Sequence, residues 1–166
     1  DVRLVGSEMC IRDSSLIYDW NTVEYDFKRD AANHPHGVWF DDETLRDGLQ
    51  SPSARNPTIE QKIELLSYME QLGLQKVDLG LPGAGPHHRS HIDAMLTHIR
   101  EHDYAIRPGT AVRTLMGDIE PLVEMQAKHD MEIQASAFLG TSPIRQYTEG
   151  WTMEKLITTM EKAVSY

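Results

Sequence analysis

The sequence predicts an α/β fold built on a parallel sheet. Three observations predict it. Short β-prone runs alternate with stretches whose apolar residues step by three or four positions, the period of a helix that buries one side. The alternation follows the order βαβαβαβα along the chain. Glycine, proline or a capping residue separates the units, so each strand must cross over through a helix before the next begins. Two architectures share that order: an open doubly wound sheet, and half of an eight-stranded barrel, which takes ~250 residues when complete. Periodicity alone leaves both open.

The first strand is expected in the apolar run Gly37-Val38-Trp39-Phe40, followed by the polar turn DDETLRDGLQSPSARNP. Pro57 and Thr58 open the first helix, with Thr58 and Gln61 at capping-box spacing. Ile59, Ile63, Leu66 and Met69 form its apolar stripe, and Gly73 is a natural stop. Val77, Leu79 and Leu81 alternate with Asp78 and Gly80 in a second strand, which Pro82-Gly83-Ala84-Gly85-Pro86 breaks. A second helix carries Ile92, Met95, Leu96 and Ile99 on one face. A third strand is placed at Arg107 to Arg113, its start blurred by Pro108 and Gly109. Asp118 begins a third helix with Ile119, Leu122, Val123 and Ala127. Ile133 to Phe138 is a fourth strand, and Thr152 caps a fourth helix bearing Met153, Leu156, Ile157, Met160, Ala163 and Val164.

Composition narrows the classes of function. The chain has 166 residues, 40% hydrophobic and 25% charged, as in a soluble globular domain. Its 16 basic and 26 acidic residues give a formal net charge of -10, with no basic block. Nucleic acid is therefore not expected as a partner, and neither is a membrane, since no apolar run approaches ~20 residues. One cysteine, Cys10, excludes an internal disulfide framework and a cysteine-rich zinc module, and points to the cytoplasm. Residues 1–14 (DVRLVGSEMCIRDS) have no structural period, and SEMCIRDS resembles translated sequencing-adapter read-through. That segment is set aside with Cys10. Residues 15–36 are read as an irregular arm, and 37–166 as the catalytic domain.

In parallel α/β folds, reactive residues gather where strands end at their carboxyl side. After the first strand comes Asp42-Glu43-Thr44-Leu45-Arg46-Asp47-Gly48-Leu49-Gln50. Asp47 offers a hard oxygen ligand to a divalent cation. Arg46 can steady an oxyanion, and Gly48 allows close backbone approach. The plain alternative is a polar surface turn with an Arg–Asp pair.

These residues carry a resemblance. DETLRDGLQ is similar to the D-x-T-L-R-D-G-x-Q signature of the DRE-TIM metallolyase family, and Val77-Asp78-Leu79-Gly80-Leu81-Pro82 resembles that family's I-E-x-G-F-P. Arg113 with Asp118-Ile119-Glu120, and Thr141-Ser142 with Trp151 and the Thr152 helix, fit the third and fourth units. The resemblance implies a (β/α)8 TIM barrel, of which residues 37–166 carry the first four βα units. It implies that Arg46 stabilises an enolate or ketone oxygen and that Gln50 lies near substrate. It makes Asp47 a ligand of Mg2+, Mn2+ or Zn2+, with two further ligands in an H-x-H motif beyond Tyr166.

The implied activity is of the 2-isopropylmalate synthase type: a metal-dependent Claisen condensation of acetyl-CoA with a 2-oxo acid in leucine biosynthesis, by a homodimer. A chain with one of the metal ligands is expected to be inactive by itself. Asp78 replaces the family's usual glutamate with a side chain one methylene shorter, which leaves its acid–base role open. Leu49 replaces the glutamate of R-D-G-E-Q, and R-D-G-L-Q is also similar to the lyase branch. A carbon–carbon lyase of the 3-hydroxy-3-methylglutaryl-CoA type is thus the runner-up. A catalytically dead half-barrel that serves as a binding module is the third reading.

Other residues compete for a role. His34 and His36 have the spacing of a metal pair but precede the first strand, at the end opposite Asp47, and a six-residue strand spans ~20 Å. They are read as a solvated tail. His87, His88, Arg89 and His91 open the second helix behind Gly83 and Gly85, where an anion could sit; a solvated helical turn is the alternative. Arg113, Thr141 and Ser142 are candidates for substrate binding at strand ends. His98, His102 and His129 are read as surface or packing residues.

Overall fold

The computed structural model describes residues 39–166. Segment 1–14 with Cys10, the arm 15–36 with His34 and His36, and Gly37-Val38 of the expected first strand lie outside the described residues. Two compact units are present, Val38–Phe138 and a second containing Leu139–Tyr166. The first holds a four-stranded parallel sheet: β1 (Asp41–Asp42), β2 (Lys76–Asp78), β3 (Arg107–Arg113) and β4 (Gln134–Phe138), paired in chain order. Its helices are α1 (Ile59–Gln71), α2 (Pro86–Glu101) and α3 (Met116–His129). A doubly wound sheet reverses its strand order at a switch point; these four strands run sequentially.

The core lies between the helices and one face of the sheet. Val77, Leu79, Ile106, Val112 and Ile133 meet Leu66, Met69, Ile92, Met95, Leu96, Ile99, Leu122 and Met125. The predicted stripe of α2 is buried at all four positions. On α1 the capping box forms as expected, with Thr58 Oγ1 accepting from Gln61 N and Gln61 Oε1 accepting from Thr58 N. Side chains alternate across a strand, so Asp78 leaves the sheet on the face opposite Val77 and Leu79.

Several expectations shift. The β1 ladder forms at Asp41–Asp42, beyond the apolar run, because Asp41 and Asp42 pair with Lys76 and Val77. Phe40 joins through its carbonyl, which accepts from Lys76 N at 3.1 Å, and its N–H, which donates to Gln75 Oε1 at 2.9 Å, while its side chain is exposed. β2 is shorter than predicted, although Leu79 N still donates to Gly109 O and Gly80 O accepts from Ala111 N. α3 starts at Met116 rather than Asp118; Ile119 and Leu122 are buried as predicted, joined by Asp118, Pro121, Met125 and His129, while Val123 and Ala127 are exposed.

The second unit contains a helix that was not expected, α4 (Pro143–Glu149), before α5 (Met153–Val164). Ser142 Oγ caps α4, Pro143 sits at its first turn, and Gly150 closes it with φ 62°. Thr152 caps α5 as predicted. Of its apolar stripe, Leu156 is buried, Met160 and Ala163 are half-buried, and Met153, Ile157 and Val164 are exposed. Among the described residues, no helix is long and apolar enough to cross a membrane.

Candidate active site at the ends of the first strands

The loop after β1 is folded by its own short-range bonds. Thr44 N donates to Asp42 Oδ1, and the N–H groups of Arg46 and Gly48 both donate to Glu43 O. Leu45 is driven into the core and is 2% exposed. That anchor turns its neighbour Arg46 toward the end of β2. There Arg46 Nε donates to Asp78 Oδ2 at 3.1 Å and Nη1 to Asp47 Oδ1 at 3.2 Å, while Nη2 donates to Glu43 Oε2. One guanidinium thus holds three carboxylates. A guanidinium has five N–H donors, so these bonds leave donors that can face an incoming oxyanion.

The three acids differ in surroundings. Asp78 is 3% exposed, and its Oδ1 accepts from Gly80 N at 2.9 Å. Gly80 has φ 137°, a region that side-chain-bearing residues avoid. Burial pushes the Asp78 carboxyl above its ordinary range; the Gly80 N–H and Arg46 oppose that, and nearby Glu43 adds to it. Asp47, by contrast, is solvent-exposed and engages Arg46 through one oxygen. An exposed carboxylate oxygen of this kind is a hard donor of the type a divalent cation accepts. Among the described residues, no group of three His, Cys, Asp or Glu side chains could hold a metal ion.

Gln50 ends a single 3-10 turn (Gly48–Gln50) and lines a cleft of about 230 Å³ with Arg46, Lys62, His88 and His91. Arg46, Asp47, Asp78 and Gln50 are therefore gathered in one region of the first unit. Arg113 is spoken for differently. Its Nε donates to Asp118 Oδ2 at 2.7 Å, its Nη2 to Oδ1 at 2.8 Å, and its backbone N to Oδ2 at 3.1 Å. Those bonds hold the buried Asp118 carboxyl below its ordinary range against the opposing effect of burial. Thr141 and Ser142 belong to the second unit. Ser142 Oγ accepts from Arg145 N as the cap of α4, and Thr141 O accepts from Gln146 Nε2.

The remaining histidines resolve into separate arrangements. His87 and His91 meet in a tilted contact with ring centroids 4.1 Å apart on the first turns of α2, and Arg89 Nε donates to Pro82 O. His98 shares a small network with Tyr104 OH and Ser67 Oγ. His129 is 1% exposed and pairs with Asp93 at 2.8 Å, where Lys128 also binds.

Sequence reasoning passed over three residues. Glu43 grips Arg46, and its i,i+3 spacing was the available signal. Asp118 locks Arg113. Lys62 lies on the buried side of α1, where its spacing of three from Ile59 and four from Leu66 could have shown it.

A profile of the HMGL-like family matches residues 38–166. The chain is 29% identical over 135 residues to the 2-isopropylmalate synthase of Sediminispirochaeta smaragdinae, an overlap of 80% of this chain and 25% of that protein. It is 32% identical over 136 residues to the protein of the same name from Streptococcus gallolyticus, covering 78% of this chain and 24% of the relative. For the Xylella fastidiosa protein of that name the figures are 31% over 140 residues, 81% and 25%. The chain thus spans about a quarter of the length of the relatives it matches.

Proposed function

The chain belongs to the HMGL-like, or DRE-TIM, family, and on that premise we propose that it is the amino-terminal part of a condensing acyltransferase that joins acetyl-CoA to a 2-oxo acid. Sequential pairing of four parallel strands supports reading the sheet as the first half of a (β/α)8 barrel. The single observation that carries the chemistry is the Arg46 guanidinium, fixed by Glu43, Asp47 and Asp78 at the carboxyl ends of β1 and β2.

The roles follow from what each side chain touches. Arg46 has a fixed charge and unused donors, so it binds the oxygen on which negative charge grows during carbon–carbon bond formation. Asp78, buried and on Arg46 Nε, is a positioning residue that sets the plane of the guanidinium. Glu43 fixes its other edge. Gln50, on the adjoining cleft, offers an amide to substrate. Asp47 would hold a divalent metal through its exposed carboxylate, with other ligands outside the described residues. When bound, such an ion supplies Lewis-acid polarisation of the 2-oxo group. Thr141 and Ser142 are the second unit's own proposed substrate-binding groups, and Arg113, paired with Asp118 at the end of β3, is proposed to act as part of that pair rather than as a free charge. The names of the relatives favour the condensing direction over cleavage.

The test uses the complete protein that contains this chain. Release of the CoA thiol from acetyl-CoA is followed against a panel of 2-oxo acids. Arg46→Lys is expected to lower kcat at least 100-fold, because lysine loses the planar fork that three carboxylates hold. Asp47→Ala is expected to abolish the dependence on added metal together with turnover. Full activity in Asp47→Ala, or indifference to a chelator in the parent protein, would end this reading.

A further inference from the structure

The far end of α2 carries a pair of groups that the condensation does not use. His98 and His102 stand four residues apart, so they share one side of the helix. Their rings meet with centroids 3.9 Å apart, and the Tyr104 ring lies against both, at 5.3 and 5.8 Å. His98 is half-buried and His102 is exposed. α2 is about 24 Å long at 1.5 Å per residue, and its first turns line the cleft that holds Arg46. The pair therefore sits at the opposite end of the first unit.

Hydrogen-bond accounting fixes the tautomers. A carbonyl oxygen only accepts, so His102 Nδ1, 3.0 Å from His98 O, carries a proton. In the neutral ring the lone pair is then left on Nε2. His98 Nε2 lies 3.2 Å from Tyr104 OH and 3.4 Å from Ser67 Oγ. Both hydroxyl protons are already placed, since Ser67 Oγ donates to Ile63 O at 2.9 Å and Tyr104 OH donates to Ser67 Oγ at 2.9 Å. His98 Nε2 must therefore donate to the tyrosine oxygen, which leaves the lone pair of its neutral ring on Nδ1. Each ring thus has one nitrogen anchored on a protein acceptor and the other unprotonated. That is the arrangement in which imidazole ligates a metal, with the anchored N–H fixing the ring's orientation.

We propose that His98 and His102 form a two-histidine site for a transition-metal dication of the Cu2+, Ni2+ or Zn2+ class, bound through His98 Nδ1 and His102 Nε2. Imidazole nitrogens bind such an ion at about 2.0–2.1 Å, so two ligands of one ion lie within roughly 4 Å of each other. The two rings are at that range. The same i,i+4 spacing brings two histidines onto one zinc in H-E-x-x-H helices. Imidazole suits these ions, whereas Mg2+ takes oxygen ligands. The carboxyl end of a helix carries the negative end of its dipole, which favours a cation. Glu101, three residues after His98, adds negative charge on the same side. Water completes the coordination of the ion. The site asks nothing of Arg46, Asp47 or the proposed condensation.

The probe is Ni2+, added to the chain of residues 1–166 at pH 7 and followed by calorimetry and thermal unfolding, with Mg2+ at equal concentration as the comparison. Each variant is compared with its own metal-free form, so a change in basal stability does not enter. Ni2+ is expected to raise Tm saturably by mass action, while Mg2+ does not. His102→Gln is expected to weaken Ni2+ binding at least tenfold. His87→Gln, which breaks the other i,i+4 pair of α2, should leave the affinity unchanged. In proton NMR, paramagnetic Ni2+ should broaden the ring signals of His98 and His102 before those of His87 and His91. Four results would overturn the site: no Ni2+ effect on the parent Tm, an equal effect of Mg2+, unchanged Ni2+ affinity in His102→Gln, or first broadening at His87 and His91.

Discussion

Gly83 stands where a single methyl group should be intolerable, and the structure says why. A Cβ placed on Gly83 would lie 1.9 Å from Asp118 Oδ1, 2.2 Å from Cγ and 2.7 Å from Oδ2. The carboxylate cannot step aside, because both oxygens accept from Arg113 and its side chain is buried. Gly83→Ala must therefore push Asp118 off its donors or displace the backbone of Pro82–Ala84. Overpacking costs about 1–3 kcal/mol, and leaving a buried acceptor short of donors adds about 1–3 kcal/mol. The expected total is about 4 kcal/mol, which at a urea m-value of about 1–3 kcal/mol/M lowers the midpoint by roughly 1–4 M. The decisive assay is a double-mutant cycle by urea unfolding. In an Asp118→Ala background the obstructing atoms are gone, so Gly83→Ala should then cost less than about 1 kcal/mol. Equal costs in both backgrounds would refute the reasoning, since the damage would then not pass through Asp118.

Other consequences can be checked separately. The raised carboxyl of Asp78 binds its proton more tightly folded than unfolded, so its contribution to stability is complete below the ordinary carboxylate range and is lost as pH rises through the folded value. Asp78→Asn should flatten that limb of the stability–pH curve, as measured by urea midpoints between pH 3 and 7; an unchanged limb would count against it. Asp93 has the opposite sign: burial raises its carboxyl, but hydrogen bonds from Lys128 and His129 override burial and lower it. Its stabilisation is present at neutral pH and fades as pH falls through the depressed value. Asp93→Asn should thus destabilise the chain at pH 7 and have little effect at pH 2, read by thermal unfolding at both pH values. Thr58→Ala should cost about 1 kcal/mol by removing the cap on α1, while Thr58→Ser should restore most of it in the same unfolding assay.

How much was legible in the chain itself depends on how local the governing forces are. Both caps read from spacing, at Thr58 and at Thr152, formed as expected because an N-cap is settled within four residues. The buried stripe of α2 followed from its 3.6-residue period. β3 matched its predicted limits because Thr110, Ala111 and Val112 suit a strand buried on both sides. By contrast, β1 slid past its apolar run onto two aspartates, since a two-residue strand is placed by the partner it pairs with. α4 went unnoticed although Ser142, Pro143 and Gly150 marked both its ends, because it has only seven residues.

At the site, residue identity was local and partnership was not. The run from Asp42 to Gln50 and the Val77–Pro82 stretch were sufficient to indicate the family, because a backbone turn and a few reactive groups are encoded by adjacent residues. Folding alone brought Arg46 against Asp78, 32 positions away. It also bound Arg113 to Asp118, which the sequence showed only as a suggestive neighbour. Helix period and cap chemistry act over a single turn, so the sequence by itself determined the elements and the chemical groups they carry. Which charges meet was decided only by tertiary structure, because parallel pairing and core packing join residues that the chain keeps far apart.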